Sequence, residues 1–229
     1  MSGKWNTNEV VHRIDASLRP LADGERATGA AAYMNNISPF LGVATPERRQ
    51  AVHAICRTLS APTSNQLGTA ALRLYAKPER EFAYAANDLI GYFVKSADKS
   101  FLETFGEKLL TTKSWWDTVD GLGSFAVSPL TVRYPNKKLI ERWSRSDNMW
   151  LNRAAIQHQR GRKNDTDVQY VLELCARYAD SKEFFITKAV GWVLRDIAAF
   201  NKPAVRRYLR DHPQLHGVAV REALRGLNR

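Results

Sequence analysis

The stretch Ser181-Lys182-Glu183-Phe184-Phe185-Ile186-Thr187-Lys188-Ala189-Val190-Gly191-Trp192-Val193-Leu194-Arg195-Asp196-Ile197-Ala198-Ala199-Phe200 decides the fold class. Phe185, Ile186, Ala189, Val190, Val193, Leu194 and Ile197 recur at three- and four-residue intervals, so one helix face carries a broad apolar stripe. Trp115, Val119 and Leu122 stack in the same way. Strand-like alternation is rare along the chain. Helix starts punctuate it. Thr45-Pro46-Glu47-Arg48 and Lys77-Pro78-Glu79-Arg80, 32 residues apart, each place proline at an expected first helical position with an acid following. Further starts are expected at Ser114, Asp147, Asp180 or Ser181, and Lys202-Pro203, with turns at 121–129, 133–136 and 161–165. The 32-residue spacing is that of a helical hairpin. The expected fold is all-α: an α-solenoid of antiparallel helix-pair repeats in one domain over 1–229, with 1–25 and 211–229 as terminal capping helices and a basic concave face.

Charge narrows the partners. The formal net charge is +11. Residues 137–163 hold eight basic side chains and two acids, and 202–229 hold seven and two, so these two stretches carry the whole excess. Localised positive charge suits a polyanion, and nucleic acid fits better than membrane because neither stretch adds a strong apolar anchor. Solvated helix faces with no partner are the plain alternative. No apolar run reaches the roughly 18 residues that span a bilayer. Met1-Ser2-Gly3-Lys4-Trp5-Asn6 lacks a secretory apolar stretch, and two cysteines make no disulfide framework, so a cytoplasmic location is expected.

Few residues suit chemistry. Ser114-Trp115-Trp116-Asp117 reads as a capping box, with the Ser114 hydroxyl on the first turn and Asp117 reaching back. Trp116 and Asp120 then share a face one turn apart. That pairing suits a site, and equally suits a half-buried tryptophan beside a solvated acid. Trp192 falls off the apolar stripe, between Lys188 and Arg195; the cations suit phosphate and the ring suits sugar or base, unless the ring only covers the core edge. Arg153 lies off the stripe of Trp150, Leu151, Ala154 and Ala155, where a phosphate clamp or a solvent-facing arginine both fit. Pro213 between His212 and His216 disfavours a metal pair, no Cys-x-x-Cys or glycine-rich phosphate loop occurs, and no metal or cofactor is expected.

Tyr33-Met34-Asn35-Asn36-Ile37-Ser38-Pro39-Phe40-Leu41-Gly42 with Thr45-Pro46-Glu47-Arg48-Arg49, Ser114-Trp115-Trp116-Asp117-Thr118-Val119-Asp120, and Glu183-Phe184-Phe185-Ile186-Thr187-Lys188-Ala189-Val190-Gly191-Trp192 resemble the AlkD-type DNA alkylation repair glycosylases. The resemblance runs from about Tyr33 to Tyr208; Asn35 stands where the family is expected to carry lysine, which touches surface charge only. It implies HEAT-like repeats and removal of cationic alkylated purines, 3-methyladenine and 7-methylguanine, from duplex DNA. It implies a catalytic carboxylate at Asp120, DNA-facing rings at Trp116 and Trp192, a phosphate contact at Arg153, and a lesion left stacked in the helix. Lys188, Arg195, Arg160, Arg162 and Lys163 are the other expected DNA contacts. The protein is expected to act as a monomer without an obligate protein partner. A non-catalytic helical-repeat module that binds damaged DNA accounts for the same charge and rings.

Overall fold

The computed structural model describes residues 4–228, and all its regular structure is helical: among these residues there is no strand. The helices are α1 (Thr7–Leu18), α2 (Gly24–Tyr33), α3 (Thr45–Cys56), α4 (Ser64–Tyr75), α5 (Arg80–Phe93), α6 (Glu107–Thr111), α7 (Trp116–Leu122), α8 (Ser128–Arg133), α9 (Lys137–Ser144), α10 (Met149–Ile156), α11 (Val168–Ala176), α12 (Phe184–Ala198), α13 (Lys202–Asp211) and α14 (Gly217–Leu227). The succession of helices is that of an α-solenoid of helical repeats, and the chain divides into two compact units at Ser114 and Trp115. Of the terminal stretches 1–25 and 211–229, Met1 to Gly3 and Arg229 lie outside the described residues. No described helix is long and apolar enough to cross a membrane.

Short polar side chains start half of these helices by accepting the first free backbone N–H groups. Asn6, Asp23, Thr63, Asn136, Asn148, Asp167 and Asn201 all cap in this way. The two Pro-Glu-Arg sites are not equivalent. Pro46 lies in the first turn of α3, as expected, and Glu47 accepts the Ala44 N–H at 3.3 Å. Pro78 instead lies outside α5, which begins at Arg80, because the carbonyls of Lys77 and Pro78 turn away to receive the Lys113 ammonium. The stretch 121–129 is also not a turn. α7 runs through a π-helical stretch, Gly123–Val127, into α8; the Ser128 N–H donates to the Gly123 carbonyl five residues back, and Pro129 follows with no N–H to place.

In the first unit α1 packs on α3 and α4, and α5 packs on both of them. Glu81 of α5 is buried, and its carboxylate accepts the backbone N–H groups of Leu41, Gly42 and Val43 at 2.9, 2.8 and 3.3 Å. That carboxylate replaces water for three donors on a segment that has no helix of its own. Gly42 takes φ +81°, and a Cβ there would lie 2.0 Å from the Asp23 carbonyl oxygen, so only glycine fits the bend. Arg48 and Asp88 form a second buried anchor, with Nε–Oδ2 at 2.8 Å.

In the second unit α12 packs along α14 and against α10 and α13, and α10 also meets α7, α9 and α11. The core here is aliphatic: Ile156, Val171, Ile186, Val190, Leu194, Ile197 and Val205 with the alanines of α14. His158 is sealed into this unit just after α10. Its Nδ1 faces the Ala155 carbonyl at 2.7 Å, and its Nε2 faces the Gln159 amide nitrogen at 3.0 Å. The Gln159 amide is itself oriented, because its oxygen accepts the Asp167 N–H at 2.8 Å. Both ring nitrogens are therefore satisfied only in the neutral tautomer protonated at Nδ1. Burial lowers the His158 pKa from 6.5 to about 4.

Two outcomes follow from these anchors. Glu81→Ala leaves three buried N–H groups without an acceptor and should cost about 3–5 kcal/mol in urea unfolding; a loss below about 1 kcal/mol would contradict the anchor. For His158 the unfolded chain binds the extra proton between pH 6.5 and about 4. Stability should thus be full above the upper value and fall by roughly 2–3 kcal/mol toward the lower one. His158→Asn should flatten that dependence, and an unchanged slope would place its source elsewhere.

Candidate functional site

Asp120 sits in the last turn of α7, immediately before the π-helical stretch, a backbone irregularity that recurs at functional sites. The start of this helix differs from expectation by one residue. Ser114 Oγ turns back to the Leu110 carbonyl at 2.8 Å, so it does not cap α7. Trp115 is the extended residue before the helix, and its N–H reaches the Thr118 hydroxyl at 3.3 Å. The Trp115 ring packs with Trp150 and Phe185, at centroid distances of 5.7 and 4.9 Å. This aromatic cluster ties together the starts of α7, α10 and α12, the three helices that build the site.

The Asp120 carboxylate is held from two sides. Arg153 Nε donates to Oδ1 at 2.8 Å and Nη2 to Oδ2 at 2.7 Å, a bidentate fork. Gln157, one turn further along α10, donates to Oδ1 at 3.1 Å. The third arm of the guanidinium, Nη1, donates to the Phe185 carbonyl at 2.5 Å. The Arg153 side chain is 1% exposed and that of Asp120 13%. Arg153, expected as a phosphate clamp, is thus buried and turned inward, with one N–H from each of its three nitrogens given to Asp120 and to the Phe185 carbonyl. The fork needs Nε and one Nη on the carboxylate, which turns the guanidinium inward. Asp120 is thus fixed in one orientation while part of its side chain still reaches solvent.

Trp192 forms the adjoining wall. Its ring lies among four cations: Arg160 at 4.9 Å from the centroid, Arg153 at 5.2 Å, Lys188 at 5.7 Å and Arg195 at 5.9 Å. Lys188 and Arg195 occupy the face of α12 on which the spacing placed them, four residues before the ring and three after. Arg160 also reaches the Gln157 amide oxygen at 3.2 Å and Asp196 at 3.8 Å, so it links the Asp120 shell to Trp192. Burial raises the Asp196 pKa against the opposing pull of Arg160 and Arg195. Trp116 is half-buried, one turn before Asp120 on the same side of α7. The hollow bordered by Val119, Asp120, Gly123, Ala154, Gln157 and Arg160 has a volume of ≈ 10 Å³, which is room for a water and not for a purine.

Two of the expected anion contacts part company. Lys163 is exposed, at φ +52°, and opens a short 3-10 turn, Lys163–Asp165, after α10. Arg162 turns inward: Nη2 donates to the Ser128 carbonyl, the Thr131 hydroxyl and the His158 carbonyl at 3.1, 2.5 and 3.3 Å. It bonds α8 to the end of α10, and burial lowers its pKa. Arg162 is therefore a packing residue and not part of the exposed basic group.

Two site residues escaped the sequence reading. Gln157 could have been found, since it lies four residues after Arg153 on the same helix face. Glu222 of α14 could not. It is buried, and it accepts Lys188 at 3.0 Å, Arg195 at 2.7 Å and Arg225 at 2.9 Å. Burial pushes its carboxyl pKa up, but the hydrogen bonds and charges of Lys188, Arg195 and Arg225 outweigh that and hold it low.

The arrangement pairs a fixed, partly open carboxylate with a ring framed by cations. Such a surface can stabilise positive charge at one point while holding anionic groups around it. Residues 14–227 match the family described as DNA alkylation repair enzyme. A solved structure described as a predicted DNA alkylation repair enzyme from Enterococcus faecalis superposes with a TM-score of 0.80 at 26% identity, covering 88% of this chain and 94% of that one. No curated protein matches the chain. With the matched family spanning nearly the whole length and both helical units, the chain belongs to the DNA alkylation repair enzyme family.

Proposed function

We propose that this protein is a monofunctional DNA N-glycosylase that hydrolyses the N-glycosidic bond of cationic alkylated purines, 3-methyladenine and 7-methylguanine, in duplex DNA. The observation that carries the reading is the Asp120 carboxylate, oriented by the Arg153 fork, still 13% exposed, and linked to Trp192 through the same guanidinium. An N-alkylated purine bears a formal positive charge. As its C1′–N bond breaks, the electron pair goes to the base, which leaves neutral, and the positive charge moves to the deoxyribose. A carboxylate fixed near C1′ stabilises that charge more in the transition state than in the ground state. Water then adds through its oxygen to C1′, and its proton passes to Asp120 or to solvent. Trp116 and Trp192 pack their faces on the sugar, where the emerging cation meets electron-rich rings.

Arg160, Lys188, Arg195 and Lys163 hold the phosphates on either side of the lesion. Arg153 acts differently from a phosphate clamp: it keeps the carboxylate pointed. In this reading the lesion stays stacked, with selectivity coming from the weak bond of a cationic base. Neutral lesions such as uracil are then poor substrates.

One observation favours a second reading. A bidentate arginine partner is also what a purely structural aspartate has, and it suits a module that binds damaged duplex without cutting. Release of 7-methylguanine from methylated duplex separates the two. Asp120→Asn should slow release by roughly 10²–10³-fold, about 3–4 kcal/mol of transition-state stabilisation, while duplex affinity persists. Wild-type protein that binds duplex and releases no base would establish the binding module. Arg153→Lys keeps the charge and loses the fork, so release should fall about tenfold or more at unchanged affinity and salt slope. Weaker binding with a flatter salt slope would instead make Arg153 a phosphate contact.

A further inference from the structure

α12 and α14 lie closer than helices with ordinary side chains between them allow. A Cβ on Gly191 would stand 2.8 Å from the Glu222 Cβ and 2.9 Å from the Ala219 Cα, and a Cβ on Gly226 would stand 2.8 Å from the Arg195 carbonyl oxygen. This approach seats the Glu222 carboxylate beneath the cationic face of α12, with only 4% of its side chain exposed. Its two oxygens are divided between the cations that flank Trp192: Oε1 takes Lys188 Nζ and Oε2 takes Arg195 Nη1. Arg225 shares Oε1.

Lys188 and Arg195 are two turns apart on one face, and without an anion between them they would repel each other and lose fixed rotamers. With Glu222 in place they are ordered, and both still reach solvent, at 28% and 26% side-chain exposure. Each also has donors to spare after its bond to Glu222, because an ammonium carries three N–H groups and a guanidinium five. Three cations around one carboxylate leave a local excess of positive charge that can take a phosphodiester.

We propose that Glu222 is a positioning residue for base excision: it presets Lys188 and Arg195 on either side of Trp192, so that they grip the phosphodiester flanking the lesion and fix the sugar against the ring. The proposal rests on the glycosylase reading above. Glu222 touches no substrate; it acts through the two cations, and the geometry it sets aligns the bound sugar with the ring and the carboxylate.

The effect separates from simple attraction by its sign. Glu222→Gln removes a negative charge next to the DNA surface, so duplex affinity should stay equal or tighten. The single-turnover rate of 7-methylguanine release at saturating protein should nevertheless fall, by roughly tenfold to a hundredfold. Glu222→Asp keeps the charge but shortens the reach, and its rate should lie between the two. In the double variant Glu222→Gln with Lys188→Met, the loss should be smaller than the product of the single losses. Thermal melts and duplex titrations accompany each variant. Wild-type saturating rates in both Glu222 variants would overturn the proposal. So would a loss that disappears at saturation, which is attraction alone, or a loss matched in both variants by a fall in folded protein, which is a structural role. Wild-type protein that releases no base would overturn the glycosylase reading and this inference together, whereas active wild type with unaffected Glu222 variants would overturn the inference alone.

Discussion

The second helical unit is organised around one ion pair, the fork between Arg153 and Asp120. It joins α7 to α10, and through the Phe185 carbonyl it joins both to α12. A buried guanidinium is costly to desolvate, and the cost is offset only while every arm has an acceptor. Here each arm does. Removing the carboxylate outright would strand a cation that is 1% exposed, and a loss of about 3–5 kcal/mol in stability is usual for such a change. Stability and orientation thus rest on the same bonds. Asparagine keeps the size of the side chain but sets an amide NH2 against one guanidinium donor, so its rate loss is read beside a thermal melt that reports the stability loss.

Around that pair the remaining polar groups form concentric supports. Gln157 completes the Asp120 oxygens, Arg160 spans from Gln157 to Trp192 and Asp196, and Glu222 ties down the far side through Lys188 and Arg195. The +11 net charge therefore does two jobs. Part of it faces inward, as in Arg153 and Arg162, and holds helices together. The rest faces outward, as in Lys163. The charge excess of a sequence counts both kinds alike, and only burial tells them apart.

What was legible in the sequence was local. The α12 stripe, and Trp192 standing between Lys188 and Arg195, follow from 3.6-residue geometry within one helix, and the structure keeps both. The succession of helices was legible too, because Asn, Asp, Thr and Pro mark most starts. What was not legible depended on distance in the chain. Arg153 meets Asp120 across 33 residues, and no periodicity says that a basic residue off the stripe turns inward to another helix. Glu222 reaches Lys188 across 34 residues from a stretch that reads as uniformly basic. Local signals also failed where a neighbour outside the helix intervened. Pro78 resembles Pro46 in sequence, yet the Lys113 ammonium takes the carbonyls around it and α5 starts later. Gly123 and Pro129 read as a turn, and a π-helical stretch absorbs them without breaking the helix.

The central claim is that Asp120 and Arg153 act as one catalytic unit, with the arginine serving the carboxylate and not the DNA. A double-mutant cycle on saturating base release tests it most directly, using Asp120→Asn, Arg153→Lys and the two combined. A unit predicts strong non-additivity: the double variant loses no more rate than Asp120→Asn alone. Losses that multiply would mean that the two residues work independently, and would contradict the account.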